Sequence, residues 1–173
     1  MKSLVLYSSL TGNTKKLAEI IYEELPNEKV IKKISDKENL QDYDLIIIGY
    51  WVDKGICDNK SKEILQGLTN KKVILFGTLG AANFGQYYNK VKSNVEKLIE
   101  DKNKILAHFL CQGSISEQVI KRLEEKVKVN PDDEHIKAQL EAYKLGLTHP
   151  DEKDLENCRE FIKDTLKENN ILC

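Results

Sequence analysis

Residues 4–14 read Leu4-Val5-Leu6-Tyr7-Ser8-Ser9-Leu10-Thr11-Gly12-Asn13-Thr14, and the fold turns on them. The apolar run at the front has the composition of a buried strand. Ser8 to Thr14 is rich in hydroxyls and small residues, the chemistry of a tight turn. Leu17, Ile20, Ile21 and Leu25 then recur at helical spacing. The stretch predicts a strand, a polar turn and a helix N-terminus in immediate succession.

A helix N-terminus presents backbone N–H groups without intrahelical partners and a partial positive charge, so it attracts an anion. Ser9, Thr11, Asn13 and Thr14 add neutral side-chain donors, and no cation stands between Tyr7 and Lys15. Such a loop suits one compact terminal phosphate. A dinucleotide fingerprint needs three spaced glycines, and a P-loop needs an upstream glycine with Lys before Ser or Thr. Gly12 stands alone, so neither fits. A plain turn and N-cap would explain Thr11 and Asn13 by themselves, though not the whole set.

Tyr7, Ser9, Thr11, Gly12, Asn13, Thr14 and Ala18 resemble the flavodoxin signature, unbroken from Val5 to Ile21. The resemblance implies that Ser9, Leu10, Thr11, Gly12, Asn13 and Thr14 hold the phosphate of FMN.

Composition agrees with one domain spanning residues 1–173. A chain of 173 residues with 40% hydrophobic residues is long enough to bury about 70% of its unfolded surface. Formal charge is −1, divided as +2 over residues 1–100 and −3 over 101–173, so no strong field invites nucleic acid. Arg122 and Arg159 are the only arginines, which removes most candidates for bidentate base-edge recognition. The apolar stretch near Met1 is too short for a signal peptide or membrane span, and nothing later is long enough, so a cytoplasmic location without a membrane partner is expected. Cys57, Cys111, Cys158 and Cys173 and the three histidines show no metal-ligand spacing. Cys57 stands close to an expected helix start, where a thiol pKa can fall, although Ile56 beside it points to packing.

The remaining pattern alternates strand and helix, as in a parallel sheet covered on both faces. Val30 to Ile34 has mixed faces and suits a sheet edge. Leu45 to Tyr50 and Val73 to Gly77 are continuous apolar runs, and Ile105 to Cys111 is a fifth strand. Helices are expected over Lys60 to Leu68 and Tyr87 to Glu100. The expected architecture is therefore α/β, a flavodoxin-like doubly wound five-stranded parallel sheet of order 2-1-3-4-5, with its ligand at the carboxyl ends of the strands. An extra helical insertion occupies about 114–147, before the last helix. Ile115, Val119, Leu123 and Val127 form one stripe, and Ile136, Leu140 and Tyr143 form another after Asn130-Pro131-Asp132. It could cover a sheet edge, dimerise or cap the flavin, with edge cover ranked first.

An isoalloxazine ring needs flat apolar walls and a few backbone donors and acceptors. The resemblance implies that the loops after the third and fourth strands supply them. Tyr50, Trp51, Val52, Asp53 and Gly55 follow the third strand, and Thr78, Leu79, Gly80 and Tyr87 follow the fourth. Trp51 is expected on one side of the ring with Tyr87 or Phe84 on the other, and Gly77 to Ala82 as close-approach backbone; core packing and a ligand-free turn are the alternatives. Gln112 either reaches a substrate or simply ends its strand. Many flavodoxins have a glycine after the key loop residue, whose peptide flips so that its carbonyl accepts a hydrogen bond from flavin N5–H. Here β-branched Val52 follows Trp51 and resists positive φ, leaving Gly55 as the candidate for the flip. Lys54 either approaches the ring, favouring two-electron reduction, or is solvated.

Three functions follow. The first is an FMN-binding flavodoxin that transfers electrons in the cytoplasm between redox partner proteins, with no catalytic side chain. The alternative is an FMN-dependent two-electron reductase of a small organic acceptor, or the partner subunit of such a reductase. Trp51 to Gly55, Gly77 to Ala81, Cys111-Gln112-Gly113 and His149 to Glu152 resemble the flavodoxin-domain proteins of anaerobic bacteria. That subgroup is similar to the flavodoxin-like partner of bilirubin reductase. The third is a flavin-free module on the same sheet. No second glycine fingerprint or placed arginine points to a bound nicotinamide.

Overall fold

A computed structural model of the chain describes residues 1–26, 28–35, 39–82 and 85–171. The first stretch folds as its pattern requires, with β1 over Ser3–Tyr7 and α1 over Asn13–Glu24. The chain continues through β2 (Lys29–Lys33), β3 (Leu45–Asp53), β4 (Ile56–Cys57), α2 (Asn59–Gly67), β5 (Lys72–Leu79), α3 (Gln86–Glu96) and β6 (Lys104–Gln112). The last part is helical, with α4 (Glu117–Val129), α5 (Glu134–Leu145), a single 3₁₀ turn (Gly146–Thr148) and α6 (Glu152–Glu168).

The sheet order is β2-β1-β3-β5-β6, with every neighbour in that path parallel. This is the expected 2-1-3-4-5 order, with one addition. β4 is a two-residue strand that pairs antiparallel with the end of β3, Val52 opposite Cys57 and Asp53 opposite Ile56. Lys54 and Gly55 make the connecting turn with φ of 49° and 83°, the positive values that a two-residue hairpin turn demands. Tyr50 to Asp53 is thus strand, where a loop was expected. The helix expected to run to Glu100 gives way after Glu96 to turns.

Strand parity builds two cores. Leu4, Leu6, Ile46, Ile48, Tyr50 and Leu75 meet α2 and α3, while Val5, Leu45, Ile47, Ile74 and Phe76 meet α1 and α6. At the carboxyl end of the sheet, glycine and aromatic residues pair across strands on opposite faces. Gly49 lies opposite Phe76, and Tyr50 opposite Gly77. A Cβ on Gly49 would stand 2.2 Å from the Phe76 ring, and one on Gly77 would stand 2.7 Å from the Tyr50 ring. Both rings are buried and cannot step aside. Gly49→Ala is accordingly expected to lose about 1–3 kcal/mol by overpacking, read as a lower urea midpoint. An unchanged midpoint would mean that the Phe76 ring relaxes freely.

The insertion does not cover the sheet edge. Ile120, Leu123 and Leu140 form a separate small core with Ile115, Val127, Ile136 and Tyr143 around it. α4 and α5 bury their stripes in each other, and residues 105–109 of edge strand β6 stay only half-buried.

Candidate functional site

The turn between β1 and α1 leaves its backbone donors available. Gly12, with φ of 94°, is the N-cap of α1 and offers no side chain to cap it. Ser9 Oγ lies within the turn and accepts from the N–H groups of Gly12 (3.1 Å) and Lys15 (3.4 Å). The N–H groups of Leu10, Thr11, Asn13 and Thr14 have no partner among the described residues. Unpaired donors at a helix N-terminus are an anion cradle.

The side chains of Asn13 and Thr14, expected as free donors, are already used in bracing the cradle. Asn13 Nδ2 donates to Thr11 Oγ1 and to the Ser114 carbonyl, both at 2.9 Å, and Asn13 Oδ1 accepts from Ser114 Oγ at 3.1 Å. Thr14 is buried, with its hydroxyl 3.0 Å from Thr78 Oγ1 and 3.4 Å from the Tyr50 carbonyl. Buried polar groups must find partners, and these found them in β3, β5 and the start of the insertion.

Asp58 is the brace that the sequence reading missed. The residue is 3% exposed. It accepts from Ser8 Oγ at 2.9 Å, from Ser61 Oγ at 2.8 Å, and more distantly from the N–H groups of Ser61 (3.3 Å) and Trp51 (3.4 Å). One side chain therefore joins the end of β1, the end of β3 and the N-terminus of α2. An aspartate immediately before a helix is an ordinary N-cap signal, and the sequence displays it at Asp58.

A cleft of about 160 Å³ opens above these braces. Leu10, Thr11, Asn13, Trp51, Val52, Thr78, Leu79 and Gly80 line it, together with Gly113, Ser114, Ile115, Ser116 and Val119. None of these lining residues is charged. The Gly80 carbonyl accepts from Gln112 Nε2 (3.4 Å) and the Leu79 carbonyl from the Gly113 N–H (2.8 Å), so Gln112 secures the floor. A Cβ on Gly113 would stand 2.8 Å from Asn13 Nδ2 and 3.1 Å from Thr78 Cβ, so a side chain there would displace the Asn13 brace.

Several expected residues stand elsewhere. Tyr50 has the parity of Ile46 and Ile48, so its ring enters the α2–α3 core and only its carbonyl approaches the cradle. Gly55 and Lys54 form the hairpin turn, where the Gly55 carbonyl accepts from Asn94 Nδ2 at 3.0 Å. Neither lines the cleft. Tyr87 is exposed and directs its hydroxyl toward Gly55 rather than the cleft. Asp53 and Ser9 line a neighbouring cleft on the other side of Leu10 and Trp51. Phe84 lies outside the described residues. Cys57 is buried and its thiol is pushed up to about 12 by burial, then by the Asp58 carboxylate, which removes it as a nucleophile at neutral pH.

A family model described as a flavodoxin domain matches residues 4–163. The chain belongs to the flavodoxin-domain family. It is 44% identical over 176 residues to the flavodoxin-like domain-containing protein BilS of Clostridioides difficile (strain CD3), covering 99% of this chain and 100% of that one. An uncharacterised protein of Methanocaldococcus jannaschii is 30% identical, covering 96% of this chain and 99% of its own. Among solved structures, oxidised flavodoxin 2 from Bacillus cereus superposes with a TM-score of 0.62 at 20% identity, covering 97% of this flavodoxin-domain chain and 99% of the other. A flavoprotein from Lactobacillus acidophilus, solved in complex with FMN, has a TM-score of 0.51 at 22% identity and covers 63% of this chain and 92% of its own. These two similarities concern the fold.

Proposed function

We propose that this flavodoxin-domain chain binds FMN in the cleft and serves as a cytoplasmic electron-transfer protein. The observation that supports this most is the junction of an uncharged cleft with a cradle of four N–H groups that have no partner among the described residues. The cradle suits a phosphate by neutral donors, and Trp51, Val52, Leu79 and the Gly80 backbone suit a flat apolar ring. Gly113 permits the close approach of Asn13 that shapes the pocket. FMN would supply reversible electron acceptance. The chain would bind the phosphate, orient the ring and exclude water. No helix among the described residues is long and apolar enough to cross a membrane.

A second reading, delivery of electrons in pairs to a small organic acceptor or to a separate reductase that holds one, has its own support. The Trp51 carbonyl accepts from the Asp58 N–H at 3.0 Å, and Val52 pairs with Cys57 in the hairpin. Rotating the Trp51–Val52 peptide would break that pairing. The chain therefore has no free peptide at this position to trade a hydrogen bond as the redox state changes.

Titrating FMN into apoprotein tests binding. Trp51 is the sole tryptophan, so quenching of its emission at 1:1 stoichiometry is expected, and full emission with FMN in excess would reject the site. Anaerobic reduction of the loaded protein then separates the readings. Direct bleaching without a long-wavelength band would support delivery in pairs, as the fixed peptide favours, whereas a strong blue one-electron form would support the carrier.

A further inference from the structure

We propose that the root of the α4–α5 hairpin is a third part of the FMN site, in which Ile115 and Val119 form an aliphatic wall for the flavin ring and Ser114 fastens that wall to the phosphate cradle. The inference rests on the FMN reading and adds binding residues from a segment that the phosphate signature does not contain.

Val119 departs from the stripe on which its spacing places it. The buried stripe of α4 runs through Ile120 and Leu123 against Leu140, with Ile115 and Val127 packed on it. Val119 is instead 37% exposed and lines the cleft, across whose mouth Leu10 is 71% exposed. Two uncovered aliphatic side chains at one opening lose the favourable transfer of their surface from water unless something apolar covers them. A flat ring entering the cleft does so.

Ile115 is seated on the floor of the same cleft. A Cβ on Gly80 would stand 1.9 Å from Ile115 Cδ1 and 2.5 Å from Cγ1, so this side chain rests on the Gly80 backbone with no space between. The other end of the insertion closes on the same place, because a Cβ on Gly146 would stand 2.5 Å from Gln112 Nε2, the group that secures the Gly80 carbonyl.

The hairpin is also tied to the cradle itself. Asn13 and Ser114 exchange two hydrogen bonds, Nδ2 to carbonyl at 2.9 Å and Oγ to Oδ1 at 3.1 Å, and the Ser114 N–H donates to the His149 carbonyl at 2.7 Å. Ordering Asn13 around a phosphate therefore orders the residue from which Ile115 and Val119 follow. The hairpin packs on itself rather than along the sheet, so this root is where it meets the rest of the fold.

The test compares wild type, Val119→Asp and the double variant Ile115→Ala/Val119→Ala, each titrated with FMN and with riboflavin, which lacks the phosphate. The double variant is expected to bind both flavins about ten-fold more weakly, about 1.4 kcal/mol, and by the same factor, because the wall touches the ring. Val119→Asp, altering an exposed residue, should keep the melting temperature of the apoprotein while weakening both flavins at least as much. Hydrogen exchange should show residues 115–129 gaining protection when FMN is added to wild type. A wild type that binds FMN, with variants that bind equally well and no protection in α4, would overturn the wall. Loss confined to FMN would overturn it too, by assigning the residues to the phosphate. A wild type that binds neither flavin would overturn the FMN reading itself.

Discussion

Asp58→Ala is expected to lower the unfolding free energy by roughly 3–5 kcal/mol and to abolish tight flavin binding. The carboxylate is buried beneath the cradle and serves three elements at once, through Ser8, Trp51 and Ser61. Its removal leaves the Ser8 hydroxyl and the Ser61 hydroxyl and N–H facing a cavity, and each buried donor without a partner costs about 1–3 kcal/mol. The loss then spreads to function by geometry. Ser8 leads directly into the cradle and Trp51 into the cleft wall, so freeing both lets the two halves of the site drift apart. Asp58→Asn separates charge from connectivity. An Asn Oδ1 can keep the Ser8 hydroxyl and the Ser61 N–H, whereas its amide hydrogens oppose the Trp51 N–H, so about half the loss is expected. Urea unfolding of apoprotein and a flavin titration check the pair. An alanine variant with a wild-type midpoint would show that Asp58 braces nothing.

The sequence made the sheet legible because its central strands are continuous apolar runs. Ile46 to Ile48 and Val73 to Leu75 are buried on both faces, and such runs have few other destinations. The cradle was legible for a related reason, since Ser8 to Thr14 is local, and a strand, a turn and a helix start fix one another. Parity would also have turned Tyr50 away from the cleft and Trp51 toward it, because Ile46, Ile48 and Tyr50 share a face. The hairpin was signalled too, as Lys54-Gly55 between Asp53 and Ile56 is a two-residue turn with glycine second. What no local pattern contained is the traffic between distant residues. Asn13 is polar and sits where a phosphate donor should sit. Only the meeting with Ser114, 101 positions away, shows that its amide is already used. The edge-cover expectation failed in the same way, for the stripes of α4 and α5 proved complementary to each other, and spacing does not say which surface a stripe will choose.

Unfolding free energy is expected to fall on acidification from about pH 6.5, the ordinary imidazole range, and His108 is the cause. Its side chain is 4% exposed, held between the Tyr50 hydroxyl on Nε2 and the Glu96 carboxylate on Nδ1, both at 2.7 Å, with Lys92 Nζ donating to its carbonyl at 2.6 Å. The ionised Glu96 carboxylate can only accept, so Nδ1 must be the donor and Nε2 is left to accept from the Tyr50 hydroxyl, whose proton burial retains. The neutral ring then carries its proton on Nδ1 and gives it to Glu96. Burial lowers the His108 pKa, outweighing the opposing pull of Glu96. The unfolded chain therefore binds a proton at a pH where the folded chain does not, and stability drops as pH falls, by up to about 1.4 kcal/mol per pH unit. Glu96 is held below its ordinary range, first by its hydrogen bond to His108, so its own contribution is present above the usual carboxylate value and is lost only below it. Between pH 6.5 and 5 the imidazole acts without it. His108→Gln should flatten that interval while lowering stability throughout. Tyr50→Phe should keep a slope of the same sign beneath a curve displaced by about 1–3 kcal/mol, the cost of a buried acceptor left without its donor. Urea unfolding at several pH values between 5 and 7.5 decides the matter, and parallel curves for wild type and His108→Gln would place the acid sensitivity elsewhere.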